Sequence, residues 1–124
     1  MVVIAFLVGV VLTTRYLMIA KKYKQLVSQT VIRGVDLSKV ANGVYFGSYD
    51  VIMVADEVMV TVRDHKITGI EIIKDVSQRG QRAEPILSRV ISAQSLHVDT
   101  ISGATNSSKV ILKAIENALT AGTI

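Results

Sequence analysis

The first twenty residues restrict the whole chain. Val2–Leu12 (VVIAFLVGVVL) carries no polar side chain, and Tyr16–Ala20 resumes the apolar run after Thr13, Thr14 and Arg15. Lys21, Lys22 and Lys24 then close it. Read as one helix, Val2–Ala20 spans roughly 28 Å, close to the hydrocarbon thickness of a bilayer. Arg15 lies near the basic end, where its long side chain can snorkel toward the head groups. A helix apolar on all faces needs either a large core or lipid around it, and the 86 residues after position 38 are too few to supply the core. A cleaved signal peptide is the rival reading, but no small-x-small cleavage site precedes the lysines and the usual basic n-region is missing. The expectation is a single-pass anchor in the cell membrane over residues 1–20, a basic linker over 21–38 and one folded domain over 39–124.

Charge divides the chain at the same place. Residues 1–38 hold Arg15, Lys21, Lys22, Lys24 and Arg33 against Asp36, which accounts for the whole net charge of +4. Residues 39–124 carry nine basic and nine acidic side chains. A neutral domain in a chain with no Trp and only six aromatic residues lacks both the basic face and the stacking platform of a nucleic-acid binder. With no Cys and only His65 and His97, the chain has no disulfide framework, no cysteine nucleophile and no multi-histidine metal site, so no metal is expected.

Within the domain the hydrophobic period sets the elements. Asn42-Gly43 signals a turn and Val44–Tyr49 reads as a short strand. Glu57–Arg63 places Val58, Val60 and Val62 on one face and Met59 and Thr61 on the other. Asp64-His65-Lys66 supplies a tight turn into Ile67–Lys74, with Ile70 and Ile72 on one face and Gly69, Glu71 and Ile73 on the opposite one. His65 reads as a solvated turn residue, and Met53 and Met59 as core or loop filler. Ser77–Arg82 is a polar break. Ile86, Leu87, Val90, Ile91 and Gln94 then follow helical spacing, with Pro85 in the first turn. Val110, Ile111, Ala114, Ile115, Ala118 and Leu119 form the stripe of a second helix, with Lys109, Lys113, Glu116 and Asn117 outside it and Gly122 closing it. The fold class is α+β: an N-terminal transmembrane helix followed by a small antiparallel-sheet domain with two packed helices.

Between those helices lies His97-Val98-Asp99-Thr100-Ile101-Ser102-Gly103-Ala104-Thr105-Asn106-Ser107-Ser108. It reads as a short strand, a small-residue loop and a helix start. Gly103 and Ala104 allow close backbone approach, and hydroxyls sit where orphan helical N–H groups point. Such a helix N-terminus suits a phosphate, because free N–H groups and the helix dipole both favour an anion. A well-capped helix following a turn accounts for the same residues equally well. Tyr45, Phe46 and Tyr49 read as core aromatics, and His97 as a strand-edge histidine.

Asp99-Thr100-Ile101-Ser102-Gly103-Ala104-Thr105 resembles the D-x-x-[ST]-G-A-T signature of the FMN-binding domain family, which includes the flavin-bearing subunits of the Rnf and sodium-pumping NADH:quinone reductase complexes. Gly43-Val44-Tyr45-Phe46-Gly47 resembles that family's opening G-x-Y-x-G strand. Asp64-His65-Lys66-Ile67 is similar to its D-G-K-I hairpin, with His65 in place of Gly, and Asn106–Leu119 resembles its closing helix. The resemblance runs in order from about residue 40 to 120 and makes 39–124 an FMN-binding domain.

The resemblance implies covalent FMN, joined through its phosphate to Thr105 by a flavin transferase that uses FAD and Mg²⁺. Asp99, Ser102, Gly103 and Ala104 complete the cofactor-binding set: Ser102 toward the phosphate or the turn, Gly103 and Ala104 leaving room, and Asp99 capping the loop or guiding the transferase. The sequence offers no nucleophile–base pair, no paired catalytic carboxylates and no nicotinamide-nucleotide motif, so an electron carrier is expected ahead of a stand-alone enzyme. Its partners would be the transferase, a membrane redox donor, an extracytoplasmic acceptor and membrane lipid. The alternative is an anchored binding module of the same fold without covalent flavin. A third is a basic membrane-peripheral peptide fused to an inert domain. The family's transferase usually works outside the cytoplasmic membrane, which implies an extracytoplasmic domain, whereas Lys21–Lys24 taken alone put it inside. That conflict points to basic residues upstream of Met1.

Overall fold

A computed structural model describes the backbone of residues 2–29, 31–51, 54–75 and 84–123, and the side chains of 3–18, 21, 31–50, 56–74 and 84–123. Met53 and the Ser77–Arg82 break lie outside the described residues.

Helix α1 covers Val2–Gln29 and does not stop at Ala20. Its Lys21, Lys22, Lys24, Gln25 and Leu26 are all good helix formers, so the basic cluster read as the start of a linker continues the helix. The expected membrane-spanning helix is not supported: among the described residues no helix is long and apolar enough to cross a membrane. The unbroken apolar run is Val2–Leu12, only about 16 Å of helix. What the described part does present is an apolar surface. Val3, Ile4, Phe6, Leu12, Leu17 and Met18 are all more than half exposed. The Thr13 and Thr14 hydroxyls donate to the Gly9 and Val10 carbonyls at 2.8 Å, so both are satisfied within the helix.

The domain is α+β as read. Strands β1 (Gly43–Val51), β2 (Val54–Arg63) and β3 (Lys66–Asp75) form an antiparallel sheet in that order, with Tyr45 opposite Val60 and Val60 opposite Ile70. Asp64 and His65 both have positive φ, 51° and 61°, which gives the hairpin the backbone twist its strands require. Asn42 Oδ1 accepts from the Asp64 N–H at 2.8 Å. His65 is exposed, as expected of a turn residue, and its Nδ1 lies 3.2 Å from the Leu37 carbonyl.

Helices α2 (Pro85–Ala93) and α3 (Thr105–Ala121) complete the domain, with Pro85 in the first turn of α2. Val58, Val60 and Val62 are fully buried and share one core with Ile86, Val90, Ile111, Ile115 and Leu119. Gly47 explains how close α3 comes to β1. A β-carbon there would stand 2.2 Å from the Ala114 carbonyl oxygen and 2.4 Å from the Ala118 nitrogen. Gly122 ends α3 with φ −91°, and its glycine is required because a β-carbon would meet the Tyr45 ring at 2.4 Å. Gly43, Tyr45 and Gly47 thus share the face that meets α3. Phe46 lies on the other face and is 58% exposed, which corrects its reading as core, whereas Tyr45 and Tyr49 do pack against the core.

Two polar residues tie the periphery to this frame. Gln94, left-handed at the end of α2, accepts from the Ile67 N–H (2.7 Å) and donates to the Ile67 carbonyl (2.8 Å), so a side chain pairs the backbone of β3. Glu116, expected on the solvent side of α3, is only 6% exposed. Its Oε2 accepts from the N–H groups of Arg33 (2.7 Å) and Gly34 (3.2 Å), and its Oε1 from Lys113 Nζ (2.7 Å). Lys113 Nζ also donates to the Val31 carbonyl at 3.2 Å. The segment 31–34 that follows α1 is thereby strapped to α3.

Candidate functional site

The residues singled out in sequence meet in one place, the loop that leads into α3. The expected strand over His97–Ile101 does not form. Its backbone groups pair with side chains instead: Arg89 Nη1 donates to the carbonyls of Asp99 (2.9 Å) and Thr100 (3.1 Å), and the Ile101 N–H donates to Ser108 Oγ (3.2 Å). A turn follows, closed by the Ala104 N–H on the Ile101 carbonyl at 2.9 Å. Gly103, the third residue of that turn, has φ +81°, a conformation that costs glycine nothing and side-chain-bearing residues about 1–2 kcal/mol. A β-carbon on it would meet nothing within 4 Å, so the space above the turn is open.

Ala104 is the N-cap of α3, buried, with φ −138° and no side chain able to cap. This corrects the reading of the hydroxyls as caps. An alanine here forgoes about 1 kcal/mol of capping. Ser108, fully buried, turns back to donate to the Ala104 carbonyl at 2.7 Å while accepting from Ile101, so one hydroxyl fastens both sides of the turn to the helix. Among the described residues no acceptor pairs the N–H groups of Thr105, Asn106 and Ser107. Three uncapped donors at the positive end of a 17-residue helix make a seat for an anion.

Thr105 is the first residue of that helix, is exposed, and has no hydroxyl partner among the described residues. Ser102 and Asp99 are exposed as well. Asp99 holds the loop through its carbonyl, and its carboxylate makes no bond to the turn among the described residues, so the capping role considered for it is not seen.

Beside the loop, an open groove of about 660 Å³ is lined by Ser88, Arg89, Ser92 and Ala93 of α2 and by His97, Val98 and Asp99. The His97 ring rests on Gly34, where a β-carbon would come within 2.8 Å of Nε2 and φ is +80°. His97 is thus a loop residue packed on the strap, and not the edge of a strand. Sequence reasoning gave no individual role to Ser108 or to Arg89, whose partners lie four to eleven residues away. A serine one turn after an alanine N-cap was the available signal for Ser108. For Arg89 there was none.

No curated protein matches the chain. The family model for the FMN-binding domain matches residues 55–120, from early β2 to the end of α3, and so includes the whole loop.

Proposed function

Since the chain belongs to the FMN-binding domain family and so binds flavin, we propose that it is a membrane-anchored electron carrier with one FMN held covalently, through the phosphate, on Thr105. The observation that carries this is an exposed threonine hydroxyl on the first residue of an uncapped helix. The residues fit the group. The N–H groups of Thr105, Asn106 and Ser107 face where a phosphodiester on Thr105 would bring its remaining negative charge, and Gly103 leaves open space for it.

In the attachment step a flavin transferase supplies FAD and Mg²⁺. Thr105 Oγ forms a bond to the phosphorus on the flavin side of the pyrophosphate, the bridging P–O bond breaks, AMP leaves, and the hydroxyl proton is taken up by a base of the transferase or by solvent. Ser108 and Arg89 keep the turn in place without touching the reacting atoms. When bound, the flavin ring supplies one- and two-electron transfer between a membrane donor and an extracytoplasmic acceptor. The exposed apolar surface of α1 supports lipid as its surroundings.

Co-expression with a flavin transferase, followed by intact mass and in-gel flavin fluorescence under denaturing conditions, tests the attachment. We expect a gain of one FMN less one water in the wild type and the bare mass in Thr105→Val. The bare mass in both would leave a binding module without covalent flavin. Adduct retained in Thr105→Val would move the attachment elsewhere. The anchor is checked separately: an integral protein stays in the membrane pellet at high salt and at alkaline pH, and a peripheral one is released. Reporter fusions at the C-terminus should be active only for an extracytoplasmic reporter.

A further inference from the structure

Resting on that reading, we infer that the groove between α2 and residues 97–99 seats the flavin ring, and that Arg89 is the fixed cation beside it.

Position favours this groove over the other described concavities. Gly47 meets Ala114 and Ala118, Ser48 meets Asn117, and Tyr45 meets Gly122, so α3 runs antiparallel to β1. Thr105, nine residues before Ala114, therefore lies about 14 Å further on, toward the end of the sheet opposite the Asp64–His65 turn. The concavity formed by Asn42–Val44 and Thr61–Asp64 is at that turn, and another, lined by Leu7, Val8, Val11 and Leu12, is on α1. Only the α2 groove, among those described, shares residues with the loop that carries Thr105.

Its chemistry suits a flat ring with apolar faces and one polar edge. Ala93 and Val98 give apolar wall, Ser88, Ser92 and Arg89 give donors, and His97 and Asp99 complete the lining, Asp99 with a carboxylate that works against the Arg89 charge. Among the described residues the guanidinium is held by two carbonyls through Nη1 alone, at 2.9 and 3.1 Å. A guanidinium has five N–H donors, so those on Nε and Nη2 are left for a ligand. Being tied to the loop backbone, the charge is in place before any ring arrives. Reduction of the ring by two electrons with uptake of one proton adds one negative charge, which a neighbouring cation stabilises. Arg89 therefore raises the midpoint potential.

The experiment uses the full-length, flavin-loaded protein, with loading checked by in-gel fluorescence and potentials read by dithionite titration against indicator dyes. We expect Arg89→Gln to retain flavin and to lower the equilibrium constant for two-electron reduction about tenfold, or ~30 mV. Arg89→Lys should stay near the wild type, because it keeps the charge. Unchanged potential in loaded Arg89→Gln, or equal shifts in both variants, would overturn the assignment and leave Arg89 as a brace of the loop. Ser92→Trp provides an arm independent of Arg89. The chain has no Trp, so an indole placed in the groove should quench native flavin fluorescence severalfold, with recovery in denaturant. Unquenched fluorescence would put the ring elsewhere. A wild type that takes up no flavin fails at the mass measurement, before any of these readings.

Discussion

One buried hydroxyl, that of Ser108, fastens both sides of the turn that leads into α3. Ser108 Oγ accepts from Ile101 and donates to the Ala104 carbonyl, so Ser108→Ala strips a part-buried N–H of its partner and detaches both sides of the turn. We expect a cost of about 1–3 kcal/mol, read as a fall in Tm of several degrees, together with slower flavin attachment at an intact Thr105. Gly103→Ala should act differently. The space around Gly103 is empty, so the penalty is confined to φ +81° and amounts to about 1–2 kcal/mol. The loop motif was legible in sequence because each of its residues is small or hydroxylic for a local reason. The uncapped state of the helix was not. It depends on Ser107 and Ser108 being buried while Ala104 occupies the cap, and a string of hydroxyls before a helix ordinarily means the reverse.

Between elements, the decisive contacts are backbone-close or charged. Gly47→Ala would drive a methyl into two backbone groups of α3 that cannot move independently, and should cost at least about 3 kcal/mol, checked by chemical denaturation. The strap supplies a pH dependence. Burial alone pushes the Glu116 carboxyl up, but hydrogen bonds from Lys113 and from the Arg33 and Gly34 N–H groups, with the Lys113 charge, outweigh it and hold the group below its ordinary value near 4.5. A group depressed on folding contributes stability above its unfolded pKa and loses it as pH falls through the folded one. Unfolding free energy should therefore decline as pH drops below about 4.5, and Glu116→Gln should show a shallower decline. Asp36 adds to the same trend, held down first by the Ser38 hydroxyl and then by the Ser38 N–H. Alternation and helical spacing made β2, β3, α2 and α3 readable. They could not reveal Glu116, since a charged residue beside an apolar stripe reads as solvated unless its partners, more than eighty residues away, are known. Likewise, residues 97–101 read as a short strand but have Arg89 and Ser108 as partners in place of a neighbouring chain.

Across the whole molecule, apolar surface is distributed unevenly. The domain buries most of its own, Val44, Phe46 and Ile73 being exceptions, while the described part of α1 leaves its large side chains about half exposed or more. The hydropathy reading ended the first helix too early, at Ala20, because a lysine cluster interrupts hydropathy without interrupting a helix. At the far side of the domain, Val40 pairs with Thr123, and the Ala41 N–H donates to the Gly122 carbonyl at 3.1 Å. The start and finish of the folded unit therefore stand next to each other. A unit closed in this way can be spliced into a surface loop of a host protein without stretching either junction, or reopened at the Asp64–His65 turn with its old ends fused. The loop that carries Thr105, at the opposite end of the sheet, would be left undisturbed by either cut.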